Sequence, residues 1–200
     1  MFTTGGALVL APQKAIVEGV GKMYAGRASS SPIVDLFITL LSMGMNGYKR
    51  LLEARQEVLK TFPLRLNAVA EKYGERILNC PTNTISFGVT LDKLARPRRE
   101  EESEDDAAYL KEVEKDISQF GSMLFSRCVS GTRVVPRAQS KKMGDHVFLG
   151  FGSSVKDYKH AYMTAACAIG LTEEELDEFF IRLDKAFQEK VKLAKKHATR

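Results

Sequence analysis

Residues 23–32, Met-Tyr-Ala-Gly-Arg-Ala-Ser-Ser-Ser-Pro (MYAGRASSSP), stand between two apolar, helix-like stretches and decide how the chain is divided. Ser31 before Pro32 reads as an N-cap followed by the proline favoured at the first helical position, because the hydroxyl accepts an orphan helix N–H and proline has none to leave unpaired. A helix is therefore expected to begin here. Its first turn presents backbone donors carrying roughly half a positive charge, and three serine hydroxyls beside the guanidinium of Arg27 compose a candidate anion cradle. An ordinary interhelix loop, with Arg27 paired to a carboxylate or to solvent, fits the same ten residues.

Towards the C-terminus, Ile33 to Met45 (IVDLFITLLSMGM) is apolar nearly all round and reads as a buried helix, too short to span a bilayer and interrupted by Asp35. From Tyr48 the pattern becomes amphipathic. Leu51, Leu52, Val58, Leu59, Phe62, Leu66, Val69 and Tyr73 recur at helical spacing against Lys, Arg and Glu. Gly44 and Gly47 mark a break, Pro63 is expected to kink or split the helix by removing an i to i−4 bond, and Gly74 ends it. Towards the N-terminus, a short helix is expected between Pro12 and Met23, and Gly5-Gly6 before Ala7-Leu8-Val9-Leu10 reads as a turn entering a buried strand.

Beyond Gly74, Arg76 to Leu91 has strand-like segments around a Pro/Asn turn. Residues 96–106 (RPRREEESEDD) pass from basic to acidic with no large apolar residue, the composition of a solvated, mobile loop. A helix resumes over about Ala107 to Gln119. Arg127 and Arg133 then flank Gly131, and His146 to Ser154 (HVFLGFGSS) reads as a strand paired with that segment. Ala161 to Ile169 reads as a helix of small residues with Gly170 as its C-cap, and Thr172 with Glu175 forms a capping box opening the last helix. Leu176, Phe179, Phe180, Leu183 and Phe187 line one face of that helix. Lys185, Lys190, Lys192, Lys195 and Lys196 gather towards its end, where they complement the macrodipole and solubilise it, or meet a polyanion.

The totals narrow the field. The chain has 200 residues, 44% hydrophobic and 28% charged with both signs mixed, and a net charge of +5, which together suit a core-forming domain with a modest bias towards a polyanionic partner. Cys80, Cys128 and Cys167 are odd in number and too far apart for a CxxC metal site, the pattern of reduced thiols in a cytosolic protein. His146, His160 and His197 show no ligand spacing. Neither a signal peptide nor a Walker, Rossmann or metal motif is present, and no Ser/His/Asp set stands out.

Seven stretches carry a likeness. GGALVLA (5–11), KMYAGRASSSP (22–32), DLFITLLSMGMNGYKRLLEAR (35–55), ERILNCPTNTIS (75–86), GSMLFSRCVSGTRVVP (121–136), FLGF (148–151) and AYMTAACAIG (161–170), in this order and at near-family spacing, resemble the C-terminal part of the O-phosphoseryl-tRNA(Sec) selenium transferase family. The likeness covers most of the chain. The charged stretch around 96–115 departs from it, the family being shorter there, and no role is carried onto it.

The resemblance implies an α/β fold, the C-terminal portion of a fold type I pyridoxal 5'-phosphate-dependent transferase. Residues 1–47 would end the large, cofactor-binding domain, and residues 48–200 would form an α+β small domain with a charged insertion around 96–115. It implies a cytoplasmic homotetramer, without a membrane partner, that converts phosphoserine on the selenocysteine tRNA into selenocysteine. In that conversion phosphate leaves the β-carbon and selenium from selenophosphate replaces it, the cofactor acting as electron sink. The family's Schiff-base lysine falls just upstream of the segment matching Met1-Phe2, and Lys14 and Lys22 do not match its motif. The chain thus reads as a C-terminal fragment with no catalytic lysine of its own. Arg27 matches the family's substrate-phosphate-binding arginine, a role for which a bidentate fork suits better than an ammonium. Arg127 matches a residue near the discriminator end of the tRNA acceptor stem, and Lys192 one that touches the tRNA backbone. Arg133 has no clear family role. Two other readings stay open: a non-catalytic, tRNA-binding fragment or paralogue, and another fold type I lyase or decarboxylase.

Overall fold

The computed structural model describes residues 9–24, 29–95, 97–99, 101–103, 106–137, 139–153 and 155–198, the last four by backbone alone. Arg27 and the predicted strand entry at residues 5–8 lie outside the described residues. Val9 and Leu10, expected to continue that strand, belong to no strand, and Leu10 is 86% exposed. The chain divides into two compact units, Met1–Glu53 and Ala54–Arg200.

In the first unit, α1 (Lys14–Met23) follows Pro12 as expected and buries none of its residues. Helix α2 (Ser31–Glu71) starts one residue earlier than its serine–proline signal suggests. The Ser30 carbonyl accepts from the N–H groups of Ile33 and Val34, both at 3.0 Å, so Ser30 is the cap, while the Ser31 hydroxyl donates to Asp35 at 3.4 Å. Three successive serines offer the same chemistry, and backbone geometry selects among them. Gly44 breaks the helix as expected, at φ 64° and ψ 172°, a conformation that costs a glycine little. The expected burial of Ile33 to Met45 is not found. Ile33, Phe37, Leu41 and Met45, four residues apart and hence stacked along one side, are 61–72% exposed. An all-round apolar helix is buried only where neighbours surround it, and among the described residues this unit offers α1 alone.

In the second unit, α2 continues through Pro63 with helical dihedrals. The lost hydrogen bond is outweighed by Val58, Phe62, Leu66 and Ala70, each nearly fully buried and recurring every four residues. The helix ends in a Schellman motif. Glu75 N–H donates to the Ala70 carbonyl and Gly74 N–H to that of Glu71, both at 3.1 Å, with Gly74 left-handed at φ 73°. The Glu75 carboxylate, 3% exposed, then caps the next turn, accepting from the N–H groups of Asp92, Lys93 and Leu94 and from the Thr90 hydroxyl.

Strand β1 (Ser86–Thr90), helix α3 (Ala107–Ser126), strands β2 (Thr132–Val135), β3 (Ser140–Met143), β4 (His146–Leu149) and β5 (Tyr162–Ala166), and helix α4 (Glu173–Ala198) complete the fold. The main sheet is antiparallel with order β1-β5-β2, aligning Val89, Met163 and Val134 in one row and Phe87, Ala165 and Thr132 in another. Val89, Met163 and Ala165 enter the core formed with α2, α3 and α4, giving two layers, three helices on one face of a sheet. Phe62 sits at its centre with ring centroids 5.6 Å from Phe87, 5.7 Å from Phe180 and 6.2 Å from Phe179.

Three expectations are corrected here. Residues 162–166 form the central strand and not a helix, and Gly170 therefore caps no helix end, although its φ of 84° places it in the turn before α4. Alanine is compatible with either state, and pairing on both sides with alternate burial of Met163 and Ala165 decides for the strand. The segment His146–Leu149 pairs with Ser140–Met143 in a separate, exposed hairpin, where the Gly144 turn brings the two adjacent segments together, and β2 stays at the edge of the main sheet. Finally, α3 runs on to Ser126, and its start at Ala107 is capped by Asp106, the last residue of the acidic run, whose carboxylate accepts from Ala108 at 2.8 Å and Tyr109 at 3.2 Å. The start of α4 is as read: Thr172 and Glu175 bond reciprocally, hydroxyl to N–H at 3.2 Å and carboxylate to N–H at 3.0 Å.

Tyr73 ties α2 to α4. Its hydroxyl donates to the Asp184 carboxylate at 3.0 Å, and its ring stacks on Phe187 at 5.0 Å. Burial first, then the hydrogen bond and charge of Asp184, push its pKa from 10 up to about 12. The folded state thus holds this proton more tightly than the unfolded chain, so the contribution is complete below the unfolded pKa and is lost as pH rises from about 10 to about 12. Urea midpoints measured across that window should fall for the parent and fall less for Tyr73→Phe.

Candidate functional site

Arg127 terminates α3. Its N–H donates to the Leu124 carbonyl, and the next residue, Cys128, is left-handed at φ 55°, so the main chain turns sharply out of the helix at this point. The guanidinium folds back: Nη1 donates to the Met123 carbonyl at 3.1 Å, satisfying one of the orphan acceptors of the helix end, and Nη2 pairs with Glu189 of α4. From α4, Arg182 donates to the Arg127 carbonyl at 3.5 Å. Arg127 is therefore pinned at both backbone and side chain, with the side chain 27% exposed.

Glu189 and Lys192 are three residues apart on α4, and so are neighbours on one helix surface; Arg182, seven residues before Glu189, lies on the same stripe. The predicted Arg127 and Lys192, 65 positions apart in sequence, thus both lie beside Glu189 in the second unit, with Lys192 exposed. Arg133 is separate. It lies exposed on β2 opposite Thr164, and its Nη2 reaches the loop at Gly152 on the side of the sheet that carries Tyr162.

Lys190 corrects the expectation of a solvated lysine cluster. It is 2% exposed, paired with Asp116 and within 3.3 Å of Gln119 Oε1 of α3. It is also the only buried lysine among the described residues, and its pairing withdraws the amine from Schiff-base chemistry; Lys14, ion-paired with Glu18 at 3.3 Å, and Lys22 are exposed. None of Lys14, Lys22 and Lys190 is thus placed as a buried, unpaired amine of the kind that holds pyridoxal phosphate. Among the described residues there is no group of three His, Cys, Asp or Glu residues able to hold a metal.

Two further groupings were not legible in the sequence. Asp92, His160 and Arg76 meet with His160 Nδ1 at 2.5 Å from Asp92 and Nε2 at 3.3 Å from Arg76, although 84 positions separate the ends. Cys167 is buried, and burial pushes its thiol pKa up against the opposing charge of Arg55, whereas Cys80 and Cys128 are exposed. No spacing signal announces either, since each is assembled across elements.

The sequence and the fold have known counterparts. The family model described as O-phosphoseryl-tRNA(Sec) selenium transferase, SepSecS, matches residues 1–188. The chain belongs to this family. Among relatives, the protein of that name from Dictyostelium discoideum is 39% identical over 193 residues, which span 95% of this chain and 40% of the relative, and that from Methanocaldococcus jannaschii is 27% identical over 92% of this chain and 36% of the relative. A crystal structure of an archaeal SepSecS superposes with a TM-score of 0.55 at 21% identity, over 86% of this chain and 32% of that one. It shows the α/β fold, the C-terminal portion of the fold type I transferase. The chain spans between about a third and two fifths of the length of the SepSecS relatives it matches. The family match ends one residue before Glu189. No helix among the described residues is long and apolar enough to cross a membrane.

Proposed function

We propose that this chain supplies the small domain and part of the substrate site of a SepSecS enzyme, which converts O-phosphoseryl-tRNA(Sec) into selenocysteinyl-tRNA(Sec) with selenophosphate as selenium donor. The observation that supports this reading, beside the family match, is that Arg127 at the end of α3 and Lys192 on α4 both lie next to Glu189 of α4, with Arg182, itself paired to Glu178, close by. Arg127, held by its helix end, presents a fixed guanidinium suited to a base edge near the discriminator position, and Lys192 supplies sequence-independent attraction for backbone phosphate. Arg27 grips the substrate phosphate and stabilises its charge as the β-carbon–oxygen bond breaks. Pyridoxal phosphate, bound through a lysine outside the described residues, supplies the electron sink. The enzyme works as a cytoplasmic homotetramer, with residues 1–47 in the cofactor-binding domain and 48–200 in the small domain.

The test separates the two arginines. In a polypeptide carrying the upstream lysine, Arg27→Ala should lower turnover about 100-fold while leaving tRNA affinity intact. Arg127→Ala should weaken tRNA binding by about 1–3 kcal/mol without altering cofactor absorbance, and Lys192→Ala should reduce the salt slope of binding by about 0.7–0.9. Unchanged turnover for Arg27→Ala, or tRNA binding indifferent to both Arg127 and Lys192, rejects the assignments.

A further inference from the structure

Glu189 is an unexpected neighbour for an RNA-reading arginine. A carboxylate beside that guanidinium repels phosphate and occupies one of its donors, much as Glu178 pairs with Arg182 nearby. It is also firmly placed. The residues on either side of its turn, Ala186, Phe187 and Lys190, are each at most 2% exposed, so the α4 backbone is seated in the core and Glu189 projects from a fixed point. Met123 holds Nη1 of Arg127 from the other side.

We propose that Glu189 is a specificity-determining residue: it holds Arg127 as a reader of base edges and prevents it from serving as a general phosphate clamp. The inference rests on the tRNA reading above and deepens it. Of the five N–H donors of Arg127, two are engaged by Met123 and Glu189, and among the described residues no partner is identified for the other three. A neutral base edge presenting two acceptors can take a pair of these without meeting net repulsion. A phosphate approaching the same guanidinium meets the Glu189 charge at close range, and the existing ion pair already offsets much of the attraction. The result is a cation whose affinity for polyanion is damped and whose hydrogen-bonding geometry is kept. Lys192, one turn away, retains the general attraction that brings the RNA in.

A bland ion pair would stabilise the fold slightly and do nothing else, so the test uses readouts that such a pair does not move. Selenocysteine tRNA transcripts bearing each of the four bases at the discriminator position are titrated at several salt concentrations against the parent chain, Glu189→Gln and Glu189→Asp. For Glu189→Gln, binding of transcripts with a wrong discriminator base should tighten about tenfold, preference for the right base should fall by the same factor, and the salt slope should steepen by about one as Arg127 becomes a phosphate contact. Glu189→Asp, which keeps the charge, should stay near the parent. Unchanged slope and preference in Glu189→Gln, or weaker binding to all four transcripts, overturns the inference while leaving the tRNA reading standing. Failure of the parent itself to bind any transcript overturns that reading, and this one with it.

Discussion

Asp116→Ala is expected to destabilise the unit Ala54–Arg200 by about 3 kcal/mol, whereas Lys190→Met should leave its stability unchanged or higher. The asymmetry follows from burial. The Lys190 side chain is 2% exposed, and without Asp116 its ammonium would retain only the Gln119 side chain, at 3.3 Å, among the partners identified for it. An ammonium so stranded costs its desolvation with little return. Removing the ammonium instead leaves Asp116, whose side chain is 25% exposed, in reach of water, and methionine fills much the same volume with apolar atoms. Urea titrations followed by circular dichroism measure both. A large loss from Lys190→Met together with a small one from Asp116→Ala would show that the pair contributes net stability, against this expectation.

Phe187→Ala should cost about 3–5 kcal/mol, lowering the melting temperature of the unit Ala54–Arg200 by on the order of 10 °C. Phe187 of α4 is 1% exposed: its ring stacks on Tyr73, in the turn that ends α2, at 5.0 Å and meets Phe120 of α3 edge-on at 4.9 Å. Both neighbours are anchored. Tyr73 is held by Asp184, and Phe120 is fully buried, so the space left by the ring cannot collapse easily and the cavity cost is added to the lost burial. Phe187→Leu keeps most of the volume and should cost less than half as much. Equal losses for the two variants would mean that ring contacts, and not cavity volume, set the cost.

Both predictions concern α4, and α4 also shows how far the sequence reads. Its capping box and apolar face follow from local chemistry and helical period, and both appear where expected. Its lysines do not read in that way. Lys190 and Lys192 have the same chemistry, but Lys190, three residues after Phe187 and seven after Leu183, falls on the apolar face and Lys192 does not; what the period could not supply is Asp116 of α3, the partner against which the buried ammonium sits. The same holds for Arg127. Its motif singled it out, while its carboxylate partner, 62 positions away, left no trace in the sequence.

What the sequence determined by itself was the family, the break at Gly44, the helix ends at Gly74 and Thr172, and the amphipathic stripes of α2 and α4, all properties set within a few residues by backbone freedom, capping and period. Tertiary structure alone decided that Tyr162–Ala166 is a strand, that α2 passes through Pro63, that the hairpin β3–β4 pairs with itself, and that Arg127, Glu189 and Lys192 share one surface. In each of these, local preference is weak or opposed, and the outcome is set by which partners a distant segment provides for backbone hydrogen bonds, apolar area and charge.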